Sequence, residues 1–70
     1  MYTNELFGKE VLDSNANHVG KVADIDVDMQ HGTVNHMVVK TGLTKKLVIA
    51  LNKINKIGDR ITLNISQDEL

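Results

Sequence analysis

Residues 20–28 read Gly-Lys-Val-Ala-Asp-Ile-Asp-Val-Asp, and this stretch decides the fold class. From residue 23 to residue 28, small or apolar side chains alternate with aspartates. A period of two places the apolar side chains on one face of a strand and the carboxylates on the other, as in a half-buried strand. The stretch from Lys21 to Asp28 is therefore predicted to be a strand with one face in the core.

The sequence on either side of this strand predicts further short strands separated by turns. Met-Gln-His-Gly at 29–32 predicts a turn that leads into a valine-rich strand over Thr33 to Lys40. Gly-Asp at 58–59 predicts a two-residue type II′ hairpin turn. The other predicted strands are Val11 to Asp13, Lys45 to Leu51, Ile54 to Ile57 and Arg60 to Ile65, and the residues assigned to structural turns are Gly8, Gly20, Gly32, Gly58 and Asp59. Short strands of this kind predict an all-β fold, a small barrel of five to six strands.

The chain is short enough to be a single domain, assigned to residues 1–70. Its predicted core covers about residues 6–63, between a polar N-terminal tail and an acidic C-terminal tail. A domain of this size buries only about 60% of its unfolded surface, so one core is marginal. Disulfides, a structural metal or oligomerisation usually compensate. The chain has no cysteine, which excludes disulfides and thiolate metal sites and favours oligomerisation.

Two runs are apolar at successive positions, and they predict a homodimer. A strand of a one-layer barrel has only one face toward the core, so an unbroken apolar run indicates that the other face is also covered. A second copy covers it better than the short, polar termini. The candidate dimer-interface residues are Met37, Val38, Val39, Leu47, Val48 and Ile49. Apolar residues spaced three apart also fit one helical turn over residues 51–56, which stays open as an alternative there.

Charge is distributed unevenly along the chain, although the net charge is only −1. Residues 1–39 hold six carboxylates and two lysines, whereas residues 40–60 hold six basic residues and one aspartate. Opposite charges on the two parts can complement each other within the fold or across a dimer. The basic stretch is the candidate partner-binding surface, and it consists of Lys40, Lys45, Lys46, Lys53, Lys56 and Arg60.

The sequence contains no motif for catalysis or for a cofactor, and the protein is predicted not to be an enzyme. Asp24, Asp26 and Asp28 are spaced as in a calcium loop, but Met29 and Asn35 replace the glycine and glutamate that such a loop requires. The three histidines lack a metal-ligand spacing, and the two serines lack the glycines of a nucleophile elbow. No cofactor and no metal are expected, while a small-ligand or ion-binding barrel remains an alternative function.

Partners other than proteins receive less support from the sequence. The basic residues could meet phosphates, but readers of single-stranded RNA also use aromatic platforms, and the chain has only Tyr2 and Phe7. An RNA-contacting or ribosome-assembly module therefore stays open as an alternative. No run reaches the roughly 20 apolar residues that span a bilayer, and the N-terminus lacks a signal-peptide pattern. A cytoplasmic protein without direct membrane insertion is expected.

Four blocks in a fixed order resemble the PRC-barrel family over about residues 6–63. They are Leu6 to Val11, Gly20 to Asp24, the hairpin around Gly32, and Ile57 to Leu63. The chain looks most like the short, free-standing archaeal members. It departs from the family pattern at Ile49-Ala50-Leu51, where many members have a stretch like Ile-Val-Pro.

The resemblance implies a six-stranded β-barrel that works by binding other proteins and has no catalytic residues. Family members include the cytoplasmic part of a photosynthetic reaction-centre subunit and the second domain of a ribosome-maturation factor. Short archaeal relatives are linked to cell division, as partners of the protein that anchors the division ring to the membrane. The expected function is therefore that of a non-enzymatic adaptor for protein partners, with an archaeal division complex as the specific expectation.

Overall fold

Strands account for about half of the chain in the computed structural model, which describes all 70 residues. The strands are β1 (Glu10–Leu12), β2 (His18–Asp28), β3 (Thr33–Thr41), β4 (Lys45–Ala50), β5 (Ile54–Ile57) and β6 (Ile61–Leu63). A short α-helix, α1, covers Thr3–Leu6, and two 3-10 turns cover Leu51–Lys53 and Gln67–Glu69. The predicted all-β class is confirmed, and the strand ends differ from the predicted ones by a few residues.

All six strands belong to one sheet, in the order β4-β3-β2-β1-β6-β5. Every neighbouring pair is antiparallel except β1 and β6, which run parallel with Val11 opposite Ile61. Inward side chains from five strands form one apolar cluster, so the sheet wraps around a single core. The cluster comprises Val11, Val19, Val22, Met37, Val39, Ile49, Ile61 and Leu63.

Two extra residues interrupt the pairing of β2 with β3, one on each strand. Ala23 falls between two paired residues of β2, and Asn35 falls between two paired residues of β3. A β-bulge of this kind leaves one residue unpaired and bends the strand. Ala23 is consequently exposed, although the alternation of the sequence predicts it on the apolar face.

The prediction of a turn at Gly20 is wrong, because Gly20 lies within β2, opposite Val11 of β1. A Cβ atom at residue 20 would overlap the carbonyl oxygen of Lys40 and lie 2.8 Å from Val39 Cγ1. Glycine inside a strand often marks such a close approach of two backbones. Gly20 therefore allows β2 to pack against the end of β3.

The loop between β5 and β6 also differs from its prediction. It comprises Gly58, Asp59 and Arg60, and Gly58 N donates a hydrogen bond to Arg60 O at 2.9 Å. A type II′ turn requires a positive φ at its first central residue, and Gly58 does not have one. The two-residue type II′ turn is therefore replaced by a three-residue loop. Positive φ angles occur instead at Gly8, Gly32, Gly42 and Ala16.

The segment after β4 and the two ends of the chain contribute more regular structure and more packing than the sequence predicts. After β4, the residues Leu51–Lys53 form the 3-10 turn, and β5 follows directly from Ile54, so the helical and strand alternatives share this segment. Leu6 of α1 and Ile65 after β6 both pack against the core. Ile65 lies two residues beyond the predicted end of the core at about residue 63.

Candidate interaction surface

Three residues of the predicted dimer interface lie in the core of the monomer instead. Met37, Val39 and Ile49 are at most 2% exposed and belong to the central apolar cluster. Met37 pairs with Ile49 across β3 and β4, so both side chains point to the same, inward face. Their assignment to an interface is corrected, because these side chains are unavailable to a partner.

The outward side of β3 and β4 retains the other part of the predicted interface. Val38 pairs directly with Val48, and Val48 is 65% exposed. Leu47, next to Val48, turns inward and packs against the core. The two outward valines contribute little to the core of the monomer, so a partner can bury them.

Three exposed lysines lie side by side next to these valines, and we call them the lysine row. Lys21 of β2 pairs with Lys40 of β3, which pairs with Lys46 of β4. Residues paired across antiparallel strands have Cβ atoms about 5 Å apart on the same face, where like charges repel. The lysine row therefore destabilises the isolated chain unless an anionic group covers it.

The carboxylate at the end of the lysine row is already engaged elsewhere. Glu10 of β1 pairs with Lys21. Arg60 Nε donates to Glu10 Oε1 at 2.6 Å, and His18 Nδ1 lies 2.8 Å from Glu10 Oε2. The hydrogen bond from Arg60, followed by that from His18, holds the pKa of Glu10 below its ordinary value. Both oxygens of Glu10 are thus occupied, and the lysine row lacks a dedicated counter-charge.

Carboxylates lie on the same outward side, beside and beyond the valines. Asp24 pairs with Val38, and Asp26 pairs with His36, whose Nδ1 lies 2.9 Å from Asp26 Oδ2. His36 pairs in turn with Ala50 on β4. We define the outer face as the outward residues of β2, β3 and β4. Along the strands it changes from basic through apolar to acidic.

The six residues of the predicted basic stretch do not form one surface, which corrects that prediction. Only Lys40 and Lys46 lie in the lysine row. Lys21 completes the row, although the sequence groups it with the acidic part of the chain. The other members lie at the start of β4, in the 3-10 turn, on β5 and in the β5–β6 loop, and they are Lys45, Lys53, Lys56 and Arg60.

A comparison with known protein families finds a match along the whole sequence. The family model of the PRC-barrel domain matches residues 1–70. The chain belongs to the PRC-barrel domain family. The comparison gives no preference for the archaeal type that the motifs resemble, and no curated protein matches the sequence.

The PRC barrel is similar in structure to a protein from Pseudomonas aeruginosa described as a 16S ribosomal RNA processing protein, RimM. The TM-score is 0.74 and the sequence identity is 17%, so this likeness shows the fold alone. The match covers 97% of this chain and 45% of that chain. This PRC barrel therefore spans less than half of the length of that protein.

Asp13 joins two distant parts of the PRC barrel through a buried carboxylate, because the residue is only 2% exposed. Its Oδ1 accepts hydrogen bonds from Asn15 N at 2.9 Å and from Asn17 N at 2.8 Å. Its Oδ2 accepts from Gln67 N at 2.9 Å and from Asn17 Nδ2 at 3.4 Å. The hydrogen bond from Gln67 is the main cause that holds the pKa of Asp13 below its ordinary value. Asp13 thus fastens the C-terminal segment to the β1–β2 turn.

The aspartates of β2 whose spacing resembles that of a calcium loop bond to their own neighbours in the PRC barrel. His31 Nδ1 lies 2.7 Å from Asp28 Oδ2, and this hydrogen bond is the main cause that lowers the pKa of Asp28. Asp24 Oδ1 accepts from Ile25 N at 2.8 Å. No group of three or more His, Cys, Asp or Glu side chains is placed to hold a metal ion.

No helix combines the length and the apolar character needed to cross a membrane.

Acid is expected to destabilise this PRC barrel through Asp13, Asp28 and Glu10. Their folded-state pKa values lie below the unfolded-state values near 4, so the unfolded chain binds more protons in that range. Their stabilisation is complete above about pH 5 and is lost as the pH falls through the lowered values. Asp13 dominates the effect, because solvent screens the two more exposed groups.

Thermal unfolding measured between neutral pH and about pH 3 tests this expectation. The melting temperature should fall steeply at the acid end, and the fall should be smaller in an Asp13→Asn variant. An Asp24→Asn variant is the control, because it makes the same chemical change at an exposed carboxylate. An unmodified protein with the same melting temperature at both ends of the range would contradict the expectation.

Proposed function

We propose that this PRC barrel is a non-enzymatic module that binds protein partners through the outer face, in the cytoplasm. The observation that carries the proposal is the lysine row beside the exposed Val48. This arrangement lowers the stability of the monomer and adds little to the packing of its core. Such a surface is expected where a partner binds. An acidic surface with an apolar centre would neutralise the lysines and bury the valines together.

The interior of the barrel supports a binding role over a catalytic one. Eight buried apolar side chains fill it, and no buried side-chain polar atom is left without a hydrogen-bond partner. Each of the three histidines is engaged in a local pair at the surface, with a ring nitrogen within 2.9 Å of a carboxylate oxygen. Binding through side chains on a rigid sheet therefore uses what this chain offers.

The specific partner is the part of the proposal that the resemblance contributes. Short archaeal relatives are linked to cell division, so the protein that anchors a division ring to the membrane is the first partner to examine. The absence of cysteine fits a reducing compartment, where such a partner would be met.

Capture of partners from a native lysate, with identification by mass spectrometry, tests the proposed surface. The variant Lys40→Glu/Lys46→Glu should lose its specific partners, because it replaces two cations of the lysine row by anions. The matched control Lys53→Glu/Lys56→Glu makes the same change in net charge outside the outer face and should retain them. Equal capture by both variants would reject the outer face as the binding surface.

Contact with RNA is the second candidate function, and the structural likeness to RimM together with the lysine row favours it. Three phosphate contacts would make the logarithm of the RNA affinity fall with the logarithm of salt concentration with a slope of about −2. Titration of a ribosomal RNA fragment at several salt concentrations measures this slope. Binding that weakens in Lys40→Glu/Lys46→Glu and shows such a slope would favour RNA over a protein partner.

A further inference from the structure

We infer that the partner of the outer face is a second copy of this chain, bound face to face about a two-fold axis. The axis lies between the two sheets, crosses the strands and passes over Val38 and Val48. This inference rests on the proposed function, since it uses the same surface and names its occupant.

The outer face has three tiers that make it complementary to itself. The first tier is the lysine row, the second contains Val38 and Val48, and the third contains His36 and Asp26. A two-fold axis across the strands places each strand over the same strand of the second copy and reverses the order of the tiers. The lysine row of one copy then lies over the acidic tier of the other.

Specific contacts follow from this reversal. Lys21 lies over Asp26 of the second copy, because both are on β2. Lys40 lies over His36 of the second copy, whose ring is hydrogen-bonded to the same Asp26. Val38 and Val48 meet their own counterparts in the centre and bury the side chain that is 65% exposed in the monomer. Each half of the interface thus supplies one carboxylate, that of Asp26, to the lysine row of the other.

The charge pattern also disfavours a stacking in which the two-fold axis runs parallel to the strands. An axis parallel to the strands would keep the tiers in order and place Lys40 near Lys40 of the second copy. Like charges brought together in this way oppose association, so the pattern selects one orientation. The selected orientation creates one like-charge contact, between Asp24 and its counterpart. Asp24 is exposed at the rim of the patch, where solvent and salt screen the repulsion.

Charge reversal in sedimentation-equilibrium experiments at high micromolar concentration and low salt tests this arrangement. The unmodified chain should form dimers. Lys21→Glu and Asp26→Lys should each weaken the homodimer at least about tenfold, because each places like charges across the axis twice. An equimolar mixture of the two variants should form heterodimers as tight as the original dimer, since both contacts become attractive again. The double variant Lys21→Glu/Asp26→Lys should dimerise for the same reason.

The controls separate loss of association from loss of folding. Lys21→Glu replaces a like-charge contact with Lys40 by an attractive one and places a second carboxylate opposite Glu10, so its monomer should melt close to the temperature of the unmodified monomer. Lys56→Glu makes the same change on β5, outside the outer face, and should leave dimerisation unchanged. A monomeric unmodified chain, or single variants that dimerise normally, would overturn the inference, as would a mixture that stays monomeric.

The outcomes also distinguish this inference from the proposed function. A chain that stays monomeric but loses captured proteins with Lys40→Glu/Lys46→Glu would retain the proposed function and reject the second copy as partner. A chain that dimerises as described but captures the same proteins with either charge-reversed pair would support the second copy as partner. It would reject the outer face as the surface that binds the captured proteins. Binding of ribosomal RNA to the lysine row of a monomer would assign the outer face to nucleic acid and overturn the inference.

Discussion

Gly20→Ala is expected to destabilise the fold by about 3 kcal/mol, a large part of the stability of a domain of this size. The added Cβ would overlap the carbonyl oxygen of Lys40 and lie 2.9 Å from its carbonyl carbon. Backbone atoms cannot rotate away as the end of a flexible side chain can, so β2 or β3 must move. That movement disturbs the core residues next to the contact, above all Val39.

Gly58→Ala is the matched control for this prediction. The nearest atom to a Cβ at residue 58 is Arg60 O at 3.9 Å, and the φ of Gly58 is not positive. Its effect on the free energy of unfolding should stay within about 0.5 kcal/mol. Denaturant unfolding of the two variants measures the difference. Equal stabilities would show that β2 and β3 accommodate a side chain at residue 20.

Asp13→Ala is expected to lower the melting temperature by more than about 10 °C. The backbone N–H groups of Asn15, Asn17 and Gln67 all lose their acceptor in this variant. Unsatisfied donors near the core are costly, and the alanine leaves a gap where the carboxylate was. The C-terminal segment should detach first, because the hydrogen bond to Gln67 spans 54 positions of the sequence.

Asp13→Asn tests which of these hydrogen bonds matters most. Its amide oxygen can serve either Asn15 and Asn17 or Gln67, whereas its amide nitrogen would face a donor on the other side. Hydrogen exchange should therefore increase either at residues 14–17 or at residues 67–70. Asp24→Asn, at an exposed position, should change neither region. Unchanged exchange and melting in both Asp13 variants would refute the structural role of this carboxylate.

The hairpin of β2 and β3 could be predicted from the sequence, and so could the lysine row. Counting back from the turn at 29–32 places Lys21 opposite Lys40. This count holds in the structure because the extra residues Ala23 and Asn35 lie on opposite strands and compensate each other. The charge totals of the two parts of the chain concealed this pairing, since Lys21 was counted with the acidic part.

The sequence of β4 alone does not show which of its side chains point toward the core. Apolar residues occupy both faces between Leu47 and Ile49, so a period of two gives no answer there. The pairing of Ile49 with Met37 and of Val48 with Val38 decides which side chain is buried. The roles of Gly20 and Asp13 depend likewise on contacts with distant segments, which local patterns do not contain.

The parallel pairing of β1 with β6 determines how the domain carries mechanical load. The chain enters β1 at one end of this pair and leaves β6 at the opposite end, with Leu12 opposite Thr62. Tension applied to the two ends of the chain therefore pulls the strands past each other along their length. In this shear geometry the hydrogen bonds between them share the force and must break together rather than one after another. A domain of this topology should thus resist being pulled apart along the line that joins its two ends.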